Sequence, residues 1–168
     1  FFFYKLQAGL QRDIRVRELL TEAMEQDGFE LFYQPQFQAD TCRLIGFEAL
    51  LRLKNQQAMP SEFIPIAEQN RQILEIGRTV LKKAVQQLAA WQAKGYNLQR
   101  IAVNFSNQQL HDATYPAYVQ ALLEQYKIKP DSLEIEVTES IYLDKSLLTL
   151  DFMEQLLRLG VRLSLDDF

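Results

Sequence analysis

The sequence is poor in the residues that build several common kinds of site. Cys42 is the only cysteine, which excludes an internal disulfide and a metal cage made of thiolates. No apolar run reaches the roughly 18 residues that a membrane-spanning helix needs. Lysine and arginine number 18 against 22 acidic residues, which gives a net charge of −4, and no long basic run occurs. A surface for polymeric nucleic acid, which depends on clustered cations, is therefore not expected.

What the chain does have is an alternation between the hydrophobic period of a strand and that of a helix. Strands are predicted at residues 29–37, 44–53, 100–105, 133–138 and 161–166. Helices are predicted at 11–26, from Pro60 through Ile66, and at 72–94, 115–126 and 146–159. Pro35 is expected to break the first strand, because proline cannot donate to a strand ladder. From residue 44 onward the strand–helix order predicts parallel strands joined by right-handed crossovers.

Polar residues able to bind metal stand at or near the ends of four predicted strands. They are Glu48, Asn104, Glu136 and the pair Asp166-Asp167. The carboxyl ends of parallel strands form one face of a sheet or barrel, where ligands bind. Oxygen ligands without histidine or cysteine favour Mg²⁺ or Mn²⁺ over zinc, and this set could hold two such ions. A two-metal site activates water and stabilises both oxygens of a phosphodiester displacement.

Six short motifs follow one another along residues 20 to 168. They are Tyr33-Gln34-Pro35, Glu48-Ala49-Leu50-Leu51-Arg52, Phe63-Ile64-Pro65-Ile66-Ala67-Glu68, Val103-Asn104-Phe105-Ser106, Glu136-Val137-Thr138-Glu139-Ser140 and Asp166-Asp167-Phe168. In order and spacing they resemble the EAL domain family of cyclic-di-GMP phosphodiesterases. Any one of these runs alone is common, whereas six in order are specific.

The resemblance implies an α/β fold, a TIM-like (β/α)₈ barrel with an antiparallel first strand, of which about the first five strands lie in this chain. It divides the chain into a linker or N-terminal extension at 1–19 and an EAL domain at 20–168 whose C-terminal part is missing. The implied activity is hydrolysis of one phosphodiester bond of cyclic-di-GMP to linear pGpG. The alternative is an inactive EAL domain that acts as a cyclic-di-GMP receptor or as a dimerisation and signalling module.

The resemblance also implies roles for single residues. The metal ligands, for two Mg²⁺ or Mn²⁺ ions, would be Glu48, Asn104, Glu136, Asp166 and Asp167. Glu48, the two aspartates and Glu139 are the expected catalytic residues. Arg52 is expected to contact a ligand phosphate, and Gln34 the nucleotide. Glu139 matches a glutamate that holds the loop after the aspartate pair and couples the metal site to dimerisation.

Each assignment has a structural alternative. Glu48 can be an edge-strand carboxylate facing solvent, and Asn104 can cap the segment after its strand. Arg52 can pair with a nearby acid, and Glu139 can cap a helix start or a loop. Glu134 shares a strand face with the predicted ligand two residues later but lies further from the strand end, so a salt bridge or solvent contact is expected for it. The adjacent aspartates repel each other unless a cation neutralises them, which favours metal binding.

The family continues past the motif that ends at Phe168 with a Gly-rich loop and three further strand–helix units. Those units supply a lysine, a glutamate and a glutamine of the catalytic site. Because five strands cannot close an eight-stranded barrel, we expect a longer chain rather than a natural half-barrel completed by another chain. The expected partners are cyclic-di-GMP, a second copy in a homodimer, and an upstream sensory or GGDEF-type domain. The domain is expected in the cytoplasm, with membrane attachment of the parent protein left open.

Overall fold

The computed structural model describes residues 1–166. Its helices are α1 (Phe2–Glu25), α2 (Pro60–Gln69), α3 (Gln72–Ala93), α4 (Tyr115–Gln125), α5 (Glu139–Leu143) and α6 (Leu147–Leu159). Its strands are β1 (Phe29–Phe37), β2 (Leu44–Leu53), β3 (Arg100–Phe105), β4 (Leu133–Val137) and β5 (Arg162–Leu165). A short 3₁₀ segment, the 107–111 turn, follows β3. Within residues 1–166, none of the helices combines the length and the hydrophobicity that a membrane span requires.

The five strands form one sheet in which each strand pairs with the next along the chain. β1 and β2 are antiparallel, and β2 to β5 are parallel. Right-handed crossovers that always step to the next strand place their helices on a single face of the sheet, as in a barrel wall, whereas a doubly wound sheet reverses direction. The predicted arrangement, a barrel segment with an antiparallel first strand, is confirmed.

The sheet has one apolar face and one polar face because side chains alternate along each strand. Ile101 and Val103 of β3 and Ile135 of β4 point toward the helices and are at most 1% exposed. They belong to a core shared with α3, α4 and α6. The opposite face carries Glu48 and Glu136 and is open to ligands at its carboxyl end.

A second core joins the start of the domain to the sheet. Val16, Leu19 and Leu20 of α1 pack with Phe63 of α2 and Ile76 of α3, each at most 2% exposed. Residues 1–12 are exposed. Helix α1 therefore has a buried second half and an exposed first half.

Three local predictions differ from the structure. The first helix begins at Phe2 rather than at residue 11, and it runs through the boundary predicted at residues 19 and 20. β1 continues through Pro35, which is tolerated because β1 lies at an edge of the described sheet. α2 extends past Ile66 to Gln69 with Pro65 inside it, since the packing of this helix outweighs the hydrogen bond lost at one proline. The division into 1–19 and 20–168 stays a prediction.

Gly46 of β2 lies close against the backbone of β3. A Cβ atom at this position would lie 2.0 Å from the backbone carbonyl oxygen of Arg100. Gly46→Ala therefore forces the two strands apart, and we expect the free energy of unfolding to fall by about 1–3 kcal/mol, the usual effect of overpacking. Chemical denaturation measures this change. Gly9→Ala is the matched control, because a Cβ at Gly9 meets nothing within 4 Å; equal stability of both variants would contradict the close approach.

Candidate metal centre

The sheet register brings the predicted ligands to one end of the polar face. Glu48 of β2 lies opposite Ala102 of β3, two residues before Asn104. Asn104 in turn lies opposite Glu136 of β4. Asp166 follows the end of β5, two residues after the position that pairs with Glu136. Since residues two apart in a strand share a face, all four side chains leave the sheet on the same side.

Three of these side chains form a tight carboxylate cluster. Glu48, Glu136 and Asp166 each place an oxygen within 4.8 Å of the others. Burial, a shared hydrogen bond with Glu48 and the charges of Glu48 and Asp166 raise the pKa of Glu136 to about 8. A divalent cation between the three would remove this repulsion and favour the ionised form. The donors are all hard oxygens, so the cluster fits Mg²⁺ or Mn²⁺.

Asn104 is exposed and lines the same cleft as Glu48 and Asp166. The structure gives the capping role, considered above as its alternative, to another residue. Ser106 is the N-cap of the 107–111 turn, and its Oγ accepts a hydrogen bond from the Gln108 N–H at 3.4 Å. The Asn104 amide is thus placed beside the carboxylates, and its role as a ligand stays a prediction.

Arg52 points into this cleft from β2. Its Nη1 donates to the backbone carbonyl of Leu51 at 2.8 Å, and its guanidinium lies 5.3 Å from the centre of the Phe32 ring. None of the salt bridges within residues 1–166 involves Arg52. The alternative of an ion pair with a nearby acid is therefore not observed in this part of the chain, and most of the guanidinium donors face no acid.

The remaining predicted site residues lie around the cluster. Gln34 of β1 is exposed and stands directly opposite Glu48 in the antiparallel pair, although it does not line the cleft. Glu139 is the exposed first residue of α5, whose N-cap is Thr138. Asp167 lies outside the described residues. The predicted roles of these three residues stay predictions.

Glu134 behaves as expected for a structural residue. Its carboxylate lies 3.4 Å from Nη1 of Arg100 and is 8% exposed. It sits two residues before Glu136 on the same face, below the cluster. Of the two alternatives predicted for it, a salt bridge or a solvent contact, the salt bridge is the one observed.

The cleft beside the carboxylates has a volume of about 430 Å³. Its far wall is formed by α2 and α3, with Ile64, Ile73, Ile76 and Val80 as apolar lining and Glu68 as an acid. Glu68 received no role from the sequence. The sequence does place Glu68 four residues after Ile64, and residues four apart share one face of a helix.

Comparison with known proteins identifies the family. The EAL domain model matches residues 17–168. Signaling protein YkoW of Bacillus subtilis is 35% identical over 99% of this chain and 21% of its own length. MucR of Pseudomonas aeruginosa, named a bifunctional diguanylate cyclase/cyclic di-GMP phosphodiesterase, is 35% identical over 100% of this chain and 25% of its own length. The chain belongs to the EAL domain family, as the motifs predict.

The solved structures agree with this assignment. The PaMucR phosphodiesterase in its c-di-GMP complex matches with a TM-score of 0.84 and 36% identity, over 92% of this chain and 64% of that one. The fold is therefore that of an EAL domain. The chain spans about a fifth to a quarter of the length of YkoW and MucR.

The raised pKa of Glu136 predicts a pH-dependent stability for metal-free protein. Because its folded pKa of about 8 exceeds the ordinary value of 4.5, this group stabilises the fold below pH 4.5, and the contribution is lost as pH rises through about 8. We expect the thermal midpoint of EDTA-treated protein to decrease as the pH is raised from about 5 to about 8. Glu136→Gln should make the thermal midpoint less dependent on pH over this range.

Scanning calorimetry across this pH range, with each variant compared with wild type, checks the prediction. Glu154→Gln on α6 is the control, since Glu154 is exposed and its one ion pair among residues 1–166 is with Arg158 at 2.7 Å. It should keep the wild-type slope. A slope that Glu136→Gln leaves unchanged would show that repulsion in the cluster is too weak to shift its titration.

Proposed function

We propose that this domain hydrolyses one phosphodiester bond of cyclic-di-GMP to linear pGpG, using two Mg²⁺ or Mn²⁺ ions. The observation that carries the proposal is the convergence of Glu48, Glu136 and Asp166 within 4.8 Å at the open end of an EAL-type sheet. The similar protein MucR is named a cyclic di-GMP phosphodiesterase. The similar PaMucR structure is a c-di-GMP complex.

The acidic end of the cleft would hold the cations. Glu48, Glu136 and Asp166 supply carboxylate oxygens, Asn104 supplies an amide oxygen, and Asp167 is the fifth proposed ligand. Bound divalent ions supply a water of lowered pKa and neutralise charge on the phosphodiester. The residues themselves fix where the phosphate lies, because they sit at one end of the sheet on one face.

Arg52 would orient the phosphate. Contact with the Leu51 carbonyl and the Phe32 ring braces its guanidinium from two sides. The donors left over can bind a phosphate oxygen pair in the fork geometry that arginine favours. Gln34, opposite Glu48 on β1, would contact the nucleotide beyond the phosphate.

The cleft matches the two chemical parts of a cyclic dinucleotide. Its sheet side carries the carboxylates, which would hold the cations, and Arg52, which would bind the phosphate. Its helix side carries the half-buried Ile64 and Val80, apolar side chains suited to the flat face of a purine. One ligand with both a phosphodiester and a base would use both walls.

Several further properties rest on membership of the family and are proposed together with the activity. The parent protein would carry a second signalling domain, because MucR, of which this chain covers 25%, also bears the name of a diguanylate cyclase. Glu139 would hold the loop after the aspartate pair. A homodimer, a cytoplasmic location and the absence of a polymeric nucleic acid partner stay predictions.

Glu48→Gln tests the activity directly. Loss of a residue that hydrogen-bonds a metal ligand lowers metal affinity or activity by about 10–100-fold. Loss of a ligand itself should therefore lower the rate of pGpG release at least about 100-fold. The thermal midpoint should not fall, because the change removes a charge from a repelling cluster. Chromatography of the nucleotide products, with Mn²⁺ and the full-length protein, measures the rate.

Glu154→Gln is again the matched control and should hydrolyse cyclic-di-GMP at the wild-type rate. Activity of Glu48→Gln within a few-fold of wild type would exclude the proposed centre. Wild-type protein that binds cyclic-di-GMP with Mn²⁺ yet releases no pGpG would assign the domain to the receptor alternative.

Arg52→Ala separates phosphate binding from metal binding. A hydrogen bond to a charged group contributes about 1.5–3 kcal/mol, so KM for cyclic-di-GMP should rise about 10–100-fold. Mn²⁺ affinity, measured by calorimetric titration, should stay unchanged. Lys54→Ala is the control, because this exposed lysine pairs with Asp27 at 3.3 Å and lies outside the cleft. An unchanged KM in Arg52→Ala would remove the residue from the binding site.

A further inference from the structure

We propose that Gln109 is a positioning residue for the metal centre, fixing the turn that leaves β3 and thereby the place of Asn104. The inference rests on the proposed metal-binding function. Gln109 lies in the 107–111 turn, five residues after Asn104, and is only 2% exposed. It lines the inner end of the cleft that holds the carboxylates.

Gln109 and Ser106 hold each other through a capping box. The Gln109 side-chain oxygen Oε1 accepts a hydrogen bond from the Ser106 N–H at 2.8 Å. The Gln109 N–H donates to the Ser106 carbonyl at 2.9 Å, and the Ser106 Oγ accepts from the Gln108 N–H at 3.4 Å. Ser106, two residues past Asn104, is thus held at two backbone atoms, N and O, and at its side-chain Oγ.

Helix α3 provides the seat for this side chain. A Cβ atom at Gly77 would lie 2.1 Å from Nε2 and 2.7 Å from Cδ of Gln109, so only glycine admits the amide in this position. Arg78, the next residue, donates to both carboxylate oxygens of Asp112 at 2.7 Å, just past the end of the turn. α3 therefore holds the turn at two adjacent points.

The hydrogen bonding of the Gln109 side chain indicates that fold stability alone does not explain a glutamine at this position. Its buried Nε2 has no hydrogen-bond partner among the described residues. A buried donor without an acceptor costs about 1–3 kcal/mol, and an aliphatic side chain would fill the same space without that cost. What the amide supplies is the oxygen that accepts from Ser106. The Gln109 amide therefore fixes the path of the backbone that follows Asn104.

The same turn is tied to the strand that carries a second ligand. Asn107 accepts a hydrogen bond from Oγ1 of Thr138 at 2.7 Å and donates to Oγ of Ser140. Thr138 follows Glu136 by two residues. Movement of the 107–111 turn would therefore change the position of Asn104 relative to Glu136, the two ligands that face each other across β3 and β4.

Gln109→Met separates positioning from packing, because it keeps the buried length and removes the accepting oxygen. We expect Mn²⁺ affinity to fall about tenfold, the lower end of what loss of an outer-shell partner costs. The thermal midpoint should stay near the wild-type value, since removal of the unpaired donor offsets loss of one hydrogen bond. Calorimetric titration of the full-length protein with MnCl₂, without nucleotide, measures the affinity.

Gly77→Ala displaces the same amide from the α3 side and leaves the turn sequence intact. It should weaken Mn²⁺ binding by a similar factor, even though alanine is the better helix former. In the double variant with Gln109→Met, Gly77→Ala should weaken Mn²⁺ binding little further, because both changes remove the same contact. Gln108→Ala in the same turn and Gly9→Ala in α1 are the matched controls and should bind Mn²⁺ like wild type.

Asn104→Ala reports on the metal centre itself and distinguishes the two ways to fail. Weakened binding in Asn104→Ala, with wild-type affinity in both Gln109→Met and Gly77→Ala, overturns the positioning role alone. Mn²⁺ binding that is absent in wild type overturns the centre and the positioning role together, whereas Mn²⁺ binding untouched by Asn104→Ala removes Asn104 from the centre and overturns the positioning role. If Gln109→Met and Gly77→Ala weaken Mn²⁺ binding and also lower the thermal midpoint, Gln109 acts in folding. That result also overturns the proposal.

Discussion

The parallel pairing of β3 with β4 governs the geometry of the site. It sets Asn104 opposite Glu136, and it sets Val103 opposite Ile135 on the other face. A slip of β4 by one residue would turn Glu136 into the helix-packed core and expose Ile135. Burial of the apolar side chains, at 0–1% exposure, therefore enforces the separation of the polar ones. The hydrophobic core and the candidate metal site are held by the same constraint.

That constraint works against the electrostatics of the free protein. Three carboxylates are kept within 4.8 Å of one another, and Glu136 responds with a raised pKa. Sites that are unfavourable by themselves and persist because the surroundings over-determine them are typical of function. The nearby Glu134 shows the contrast, since its partner Arg100 satisfies it within the sheet. Two acids on one strand thus differ in their electrostatic surroundings, because only Glu134 has a cationic partner within the described residues.

Much of the fold follows from local periodicity, and part of the site follows from strand ends. The bounds of β1, β2 and β3 agree with the period-two runs, and the order of strand-end acids indicates one ligand-binding edge. The seat of Gln109 on Gly77 left no periodic signal, because it depends on how closely α3 approaches a turn far away in sequence. The exposed first half of α1 and the uninterrupted β1 at Pro35 were also missed, since tertiary context decides where a helix starts and where a proline is tolerated.

Helix α1 is a single rod of 24 residues, about 36 Å long at 1.5 Å per residue. Its second half is packed into the core, and an ion pair joins Arg12 to Glu62 of α2. α2 carries Glu68 in the wall of the cleft. A displacement of its exposed first half would therefore be passed to α2, and so to the wall of the cleft, through the second core and this ion pair.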